Sequence, residues 1–448
     1  MPKHLAQNNS KSLRKFLVYG SVAFVSGISG ASFALVLAIS PFRHPASVLP
    51  NSSKSITTII PTQIERPVNI LILGIDNSGH PHQGDFTPAE ALSGNSDAML
   101  LVRIFPKTHK VNILSIPRDT RAEIPNVGFD KVNAANVYGG IPLAATTVSQ
   151  LLRNISIDRY IRVDTEGFSN IVDTLGGLEI NIPKSMNYVD HSQNLNIHFV
   201  AGKQTLNGQH LQEYVRFRHD ALGDIGRVQR QQEVIQSLIH KLIQPDTLGK
   251  LQEILQIVRQ NLDTDLSLGE MMAIYNVIKD TDRHDRNMVM LPGRFSQDSE
   301  YESSYWIENT QAADAILTRY FDVSIPDGVP QDSPQFSNQI SSQKVLGSTS
   351  IQIAIVNATG SSGIEEKAMQ FFKNSGFSNA YITDREIDSF GESTNKTQII
   401  AQQGNPEVAE MVKQKMGIGQ VQVASTGDLY SDVTVVIRED FAAKLKGN

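Results

Sequence analysis

Tyr214 to Gln232 reads "YVRFRHDALGDIGRVQRQQ" and holds four arginines, Arg216, Arg218, Arg227 and Arg230, in a chain whose formal net charge is −6. Arginine is the side chain suited to a two-point grip on phosphate, because its planar fork matches the spacing of two oxygens. A helix starting near Asp224 sets Arg227 and Gln231 four residues apart on one face, with Arg230 beside them. Its free N–H groups and positive dipole end would also favour an anion. Other charged residues fall where strands end. Asp76 closes the apolar run "NILILGID", Asp97 sits in "GNSDAML", and Arg118 and Asp119 follow "NILSIP". In open α/β sheets ligands gather beyond the carboxyl ends of strands. Each feature has a plainer reading: a solvated arginine face, a turn-forming Asp76, a capping Asp97, a local Arg118–Asp119 ion pair. Together they point to a phosphate-rich ligand.

The elements that must position these residues are legible as periodicity. Val68 to Ile75 is an almost unbroken apolar run, the pattern of a strand covered on both faces. "AMLLVRIF" (98–105), "KVNILSIP" (110–117), "LEINIP" and "NMVMLPG" (287–293) read as further strands. Helical patterns fall at 141–152, at 167–177 before a Gly pair, in "GQHLQEYVRF", in "GRVQRQQEVIQSLIHKLI", and at about 246–261 and 267–280. The fourth of these puts Val228, Ile235, Leu238 and Leu242 on one side. Strands alternating with helices predict an α/β fold, a mixed-sheet sandwich. From 351 a second α/β unit begins. It has helices at about 363–375 and 405–415 and strands at "AYITD", "TQIIAQ", "VQVAS" and "DVTVVIR", in two β–helix–β halves.

With 448 residues, 40% of them hydrophobic, the chain can bury more than one core. The absence of cysteine excludes disulfides and thiolate metal sites, and the acidic balance argues against nucleic acid as a partner. Leu17 to Ile39 carries no charge and as a helix would be about 34 Å long, enough to cross a bilayer. Lys3, Lys11, Arg14 and Lys15 precede it, which predicts a cytoplasmic N-terminus and an extracytoplasmic bulk at the cell membrane. The competing reading is a cleaved signal peptide. The expected organisation is a cytoplasmic tail (1–16), a single-pass anchor (17–39), a linker (40–66), a first α/β domain (67–322) with its charged segments within 67–245, a Ser/Gln/Pro-rich linker (323–350) and a small C-terminal α/β domain (351–448).

In order, "NILILGID", "SDAMLLV", "ILSIPRDT", "KVNAANVYGG", "LGGLEINIP", "LNGQHLQEYVRFRH" and "GDIGRVQRQQ" resemble the LytR–CpsA–Psr family of membrane-anchored cell-envelope proteins, over about residues 66–245. "VNATGSSGIEEKAMQFFKNSGF" resembles the LytR C-terminal domain often joined to it. The resemblance implies a phosphotransferase that moves a glycopolymer from a polyprenyl-diphosphate carrier to a peptidoglycan hydroxyl, with Mg²⁺ and an arginine cluster on the diphosphate and an apolar pocket for the lipid tail. Carried over residue by residue, it makes Asp76 and Asp97 the metal-associated acids. Arg118, Arg216, Arg218 and Arg227 become diphosphate ligands, with Gln231 a polar partner. Lys131 and Asn133 form a "KxN" element, and Asp224 is the acid of the "GD" pair. A hydroxyl nucleophile calls for a general base, with Asp119 and Asp224 the candidates. One position departs from the pattern: Asn95 stands where the family has Arg, so that contact is missing or comes from Arg121 or Arg230. The rival functions are a polyprenyl-diphosphate phosphatase using water, a non-enzymatic envelope regulator, and a glycan-binding scaffold.

Overall fold

The computed structural model describes residues 64–76, 92–182, 184–190, 195–217, 223–248, 251–325, 350–383, 396–428 and 430–447. The expected anchor (17–39), most of both linkers and Arg218 lie outside these residues. Among the described residues no helix is long and apolar enough to cross a membrane.

Val68–Asp76 (β1), Asn95–Phe105 (β2) and Lys110–Ser115 (β3) run antiparallel in sequence order at the centre of the first sheet. The hairpin Arg121–Ile124 (β4) and Gly128–Lys131 (β5) then leads into Ala135–Leu151 (α1). That helix is broken at Gly139 and Gly140, the latter at φ 62°, and resumes at Pro142. Glycine tolerates the left-handed turn and proline pre-sets the angle of a first helical residue. The sequence-based helix at 141–152 is therefore the second limb of a kinked one.

Arg159–Asp164 (β6) joins β1 in parallel, and Asp164 caps Thr165–Thr174 (α2) by accepting from the Gly167 N–H at 2.7 Å. Two hairpins follow: Leu178–Ile182 (β7) with Gly202–Leu206 (β10), and Met186–Asp190 (β8) with Leu195–Phe199 (β9). Next come Gly208–Arg216 (α3) and Gly223–Leu242 (α4). The helix expected at 246–261 is represented among the described residues by Pro245–Leu248 (α5) and Leu251–Gln260 (α6). Asp263–Thr264 (β11), Leu268–Asp280 (α7) and Arg286–Met290 (β12) complete the sheet, in the order β11-β6-β1-β2-β3-β12. Parallel and antiparallel pairs coexist in it, so the mixed-sheet expectation holds.

The apolar run of β1 serves two faces, as its composition predicts. Leu71, Leu73 and Ile75 join the core with Ala144 and Val148 of α1, while Ile70, Ile72 and Gly74 line a cavity on the other side. Gly293–Phe295 (β13), Trp306–Glu308 (β14) and Thr310–Phe321 (α8) close the first domain.

The C-terminal unit contains Gln352–Asn357 (β15), Ile364–Asn374 (α9), Asn379–Ile382 (β16), Gln398–Ala401 (β17), Pro406–Met416 (α10), Gln420–Val423 (β18), Val433–Ile437 (β19) and Glu439–Gly447 (α11). Its sheet order is β16-β15-β19-β17-β18. The two β–helix–β halves read from sequence are present as parallel pairs, separated by β19. The core continues from Leu71 and Val148 through Val289, Ile316 and Leu317 into Ile355 and Val435, so the two sheets share buried apolar contacts.

Helix α3 carries Arg216 and is seated by its first residue. The Gly208 N–H donates to Asp173 at 2.8 Å, and a Cβ at Gly208 would lie 2.5 Å from the Ser169 carbonyl oxygen. Gly208→Ala should therefore force α3 away from α2, lowering stability by about 1–3 kcal/mol, as overpacking does. Chemical denaturation of the full chain measures it, and an unchanged midpoint would show that this approach is not tight.

Candidate active site

Strand ends and two helices deliver the charged residues to one end of the sheet. Asp76 ends β1 opposite Asn95. Gly74 pairs with Ala98 but Ile75 pairs with Ser96, so Asp97 is the extra residue of a β-bulge. Bulges turn a side chain out of the regular alternation and recur beside active sites. The segment before the bulge is pinned by Asn136, 1% exposed, whose Nδ2 donates to the carbonyls of Leu92 at 2.9 Å and Gly94 at 2.8 Å. Asn136 lies within the quoted "KVNAANVYGG", yet sequence reasoning passed it over in favour of its neighbours Lys131 and Asn133.

Asp97 is the hub. Arg118, just beyond β3, donates from Nη1 to both its oxygens at 2.9 Å. Arg227 on α4, 4% exposed, places its Nη1 3.6 Å from Oδ2, and Gln231 one turn later donates to the Asp97 carbonyl at 3.3 Å. Arg118 also lies 3.5 Å from Asp119, whose other oxygen takes Lys131 at 2.7 Å. The result is an alternating chain, Arg227–Asp97–Arg118–Asp119–Lys131. Across the mouth Arg216 reaches Asp76 at 3.2 Å.

Tyr214 and Gln232 hold the two helices in place. The Tyr214 hydroxyl donates to Glu233, tying α3 to α4. The Gln232 Nε2 donates to the Ser115 Oγ at 3.0 Å, tying α4 to the end of β3 just ahead of Arg118.

Asp76, Asp97, Arg216, Arg227 and Gln231 line the polar end of a cavity of about 490 Å³. The rest of its wall is apolar. The sheet contributes Ile72, Leu100, Val102 and Ile113, and the helices contribute Val215, Ile235, Leu238, Leu242, Val258 and Ile274. The stripe read on α4 is thus cavity wall at Ile235, Leu238 and Leu242, whereas Val228 packs on Met290 and Trp306. Helical periodicity gives the shared face but not the neighbour that face meets.

Several site expectations are refined. Asp119, 9% exposed, is held between Arg118 and Lys131, which suits it to fixing those cations. Asn133, 7% exposed, meets the site through its backbone: its N–H donates to the Arg118 carbonyl at 3.3 Å and its carbonyl accepts from Ser96. Asp224 belongs to α4, whose described residues are Gly223–Leu242. Neither candidate substitute for the absent family arginine stands at Asp97. Arg121 lies 3.9 Å over the Phe129 ring and 4.9 Å over that of Tyr301. Arg230 is 7% exposed, donates from Nη2 to the Phe217 carbonyl and lies 5.7 Å over the Phe217 ring. It braces the turn after Arg216, although its place beside Arg227 offered it as a substitute contact at the site.

Among the described residues no group of three or more His, Asp or Glu could hold a metal ion. Two carboxylates at one cavity end are nevertheless the donor set that suits Mg²⁺, which takes one or two carboxylates and completes its shell with phosphate and water.

The LytR_cpsA_psr family model matches residues 46–322, and the chain belongs to that family. A second model, described as LytR cell envelope-related transcriptional attenuator, matches residues 350–441. An uncharacterized protein of Staphylococcus aureus is 37% identical over 212 residues, covering 47% of this chain and 51% of the relative. The polyisoprenyl-teichoic acid–peptidoglycan teichoic acid transferase TagU of Bacillus licheniformis is 32% identical over 232 residues, covering 51% of this chain and 70% of that protein. The matched region thus spans about half of the staphylococcal relative's length. Among solved structures, a Streptococcus agalactiae protein aligns with TM-score 0.51 at 26% identity, covering 59% of this chain and 91% of the other. TagV of Bacillus subtilis shares the fold at TM-score 0.50 and 24% identity, covering 59% and 100%.

The brace assigned to Arg230 is testable. Arg230→Ala removes a buried charge-assisted bond and should lower stability by about 1.5–3 kcal/mol, read as a shift in the urea unfolding midpoint. A change below about 0.5 kcal/mol, the value of a surface charge, would show that Arg230 is not a brace.

Proposed function

We propose that the protein is a membrane-anchored phosphotransferase that moves a glycopolymer from a polyprenyl-diphosphate carrier to a hydroxyl of peptidoglycan. The observation that carries the reading is the single cavity with two chemistries: a long apolar wall ending on Asp76, Asp97, Arg216, Arg227 and Gln231. An isoprenoid chain gains about 0.8 kcal/mol for each CH₂ it buries, and a diphosphate needs fixed cations where the chain ends. The name of the Bacillus licheniformis relative assigns that protein a polyisoprenyl-linked donor and a peptidoglycan acceptor. The uncharged 17–39 segment supports an anchor that keeps the site beside the lipid pool.

In the proposed reaction the acceptor oxygen attacks the phosphorus bound to the glycan. The P–O bond to the polyprenyl phosphate breaks, polyprenyl monophosphate leaves, and the hydroxyl proton passes to a carboxylate. Arg227 and Arg118, already aimed by Asp97, donate to the phosphate oxygens as charge shifts to the leaving group. Arg216 closes the opposite side of the mouth, with Arg218 assigned to the same cluster by the family pattern. Asp224, at the head of α4, is the preferred proton acceptor because Asp119 is engaged by two cations. Mg²⁺, held through Asp76 and Asp97 with the phosphates, would supply electrostatic stabilisation of the leaving phosphate. Asp97 orients both arginines, so its loss should disturb phosphate binding as well as metal binding.

The test is transfer of a short lipid-linked glycan to peptidoglycan oligomers. Arg227→Ala should lower the rate by about 30- to 1000-fold, the equivalent of about 2–4 kcal/mol. Arg227→Lys should rescue poorly, because an ammonium lacks the fork. Chelator should abolish transfer and Mg²⁺ restore it, except in Asp76→Ala and Asp97→Ala. Release of polyprenyl phosphate at equal rates with and without peptidoglycan would replace transferase by phosphatase. Near-wild-type transfer by Arg227→Ala would remove the arginine cluster from the reaction.

A further inference from the structure

Between Arg227 and Gln231 on α4 stands Gln229, 7% exposed, and its partners belong to the C-terminal domain. Its Nε2 donates to the carbonyl oxygens of Ser425 at 3.1 Å and Gly427 at 3.0 Å. Two acceptors fix the orientation of the amide, since the reverse would set oxygen against oxygen. The same loop is gripped from β12. The Ser425 N–H donates to the Met288 carbonyl at 3.0 Å, and the Ser425 Oγ accepts from the Met290 N–H at 3.0 Å while donating to the Gln402 carbonyl at 3.1 Å. Met288 and Ala424 form a parallel bridge, so the two sheets meet edge to edge at this point. Beyond β12 the Leu291 N–H donates to the Ser115 carbonyl at 2.8 Å, and the Ser115 Oγ receives Gln232 of α4.

The contacts close a ring: α4 to the C-terminal loop, to β12, to the end of β3, and back to α4. None of the ring's residues lines the cavity, yet Gln229 and Gln232 alternate along α4 with Arg227 and Gln231, which do. We propose that the C-terminal domain is a positioning element of the anion site, with Gln229 as the positioning residue: the domain fixes the rotation of α4 and hence the place of Arg227 beside Asp97. Any effect on transfer rests on the function proposed above; the mechanical coupling does not. A buried amide bonded to two carbonyls of a second domain has that consequence because breaking it strands both acceptors. The partners are backbone atoms, so the loop holds α4 through its path, with Ser425 the side chain that sets the path.

The experiment uses the full chain and two variants, Gln229→Met, which keeps the length of the side chain without its donors, and Ser425→Ala, the milder change in the other domain. The probes are geranylgeranyl diphosphate and geranylgeraniol, titrated calorimetrically, together with amide hydrogen exchange across 223–242. Both variants should weaken diphosphate binding about two- to thirtyfold, the usual range for coupling through a packed network, and leave alcohol binding unchanged. Exchange in the first half of α4 should rise. A general loss of folding would weaken both ligands alike and would overturn the proposal, as would unchanged diphosphate affinity with unchanged exchange in both variants. If the wild type binds neither probe, the functional reading fails, and the exchange data alone decide the coupling.

Discussion

The Asp97 carboxylate accepts Arg118 through both oxygens and lies against Arg227, so one side chain sets the place of two cations that come from opposite sides of the site. It can do this because a β-bulge takes it out of the strand's alternation and because Asn136 fixes the backbone just before it. Guanidinium groups gathered without an acid between them would repel one another and swing toward water. Alternating them with Asp97 and Asp119 keeps them in place before any ligand arrives. Preorganisation of this kind matters for charge transfer, because donors already aimed need not reorient as the reaction proceeds.

The same hub stands where apolar wall meets polar mouth. Ile72 and Leu100 of the sheet face Leu238 and Ile235 of α4, and within a few residues along each element the lining changes to Asp76, Asp97 and Arg227. A low-dielectric wall beside the arginines strengthens their attraction for an anion. A ligand with a greasy tail and a charged head satisfies both parts. Helix α4 carries both kinds of lining and also touches the C-terminal domain through Gln229, which makes it the element where tail, head and second domain meet.

Where one physical signal dominates, the fold is legible in the sequence. The strands β1 to β3 are, because a sheet buried on both faces calls for nearly continuous apolar runs with few polar breaks. The helices α3 and α4 are, because apolar residues recur along both at helical spacing. The hairpins at 186–206 and helix α8 escape such reading, since their short stretches mix polar and apolar residues without a clear period. For the site, motif order picked out Asp76, Asp97, Arg118, Arg216, Arg227 and Gln231, and the structure brings these six to one place. Arg230 was offered as a substitute contact because helix spacing cannot say that its guanidinium will turn to the Phe217 carbonyl and ring instead. Asn136, Gln229 and Gln232 were missed because their work is done on backbone and hydroxyl groups remote in sequence. No local pattern marks such contacts.

The central claim is that one site holds a charged head at Asp97's arginines and an apolar tail along the sheet. A crystal structure with geranylgeranyl diphosphate tests it most directly. The account predicts the diphosphate among Arg118, Arg216 and Arg227, with the isoprenoid running past Ile72 and Leu100 toward Leu238. A diphosphate bound elsewhere, or a head seated at the arginines with its chain turned out to solvent, would contradict it.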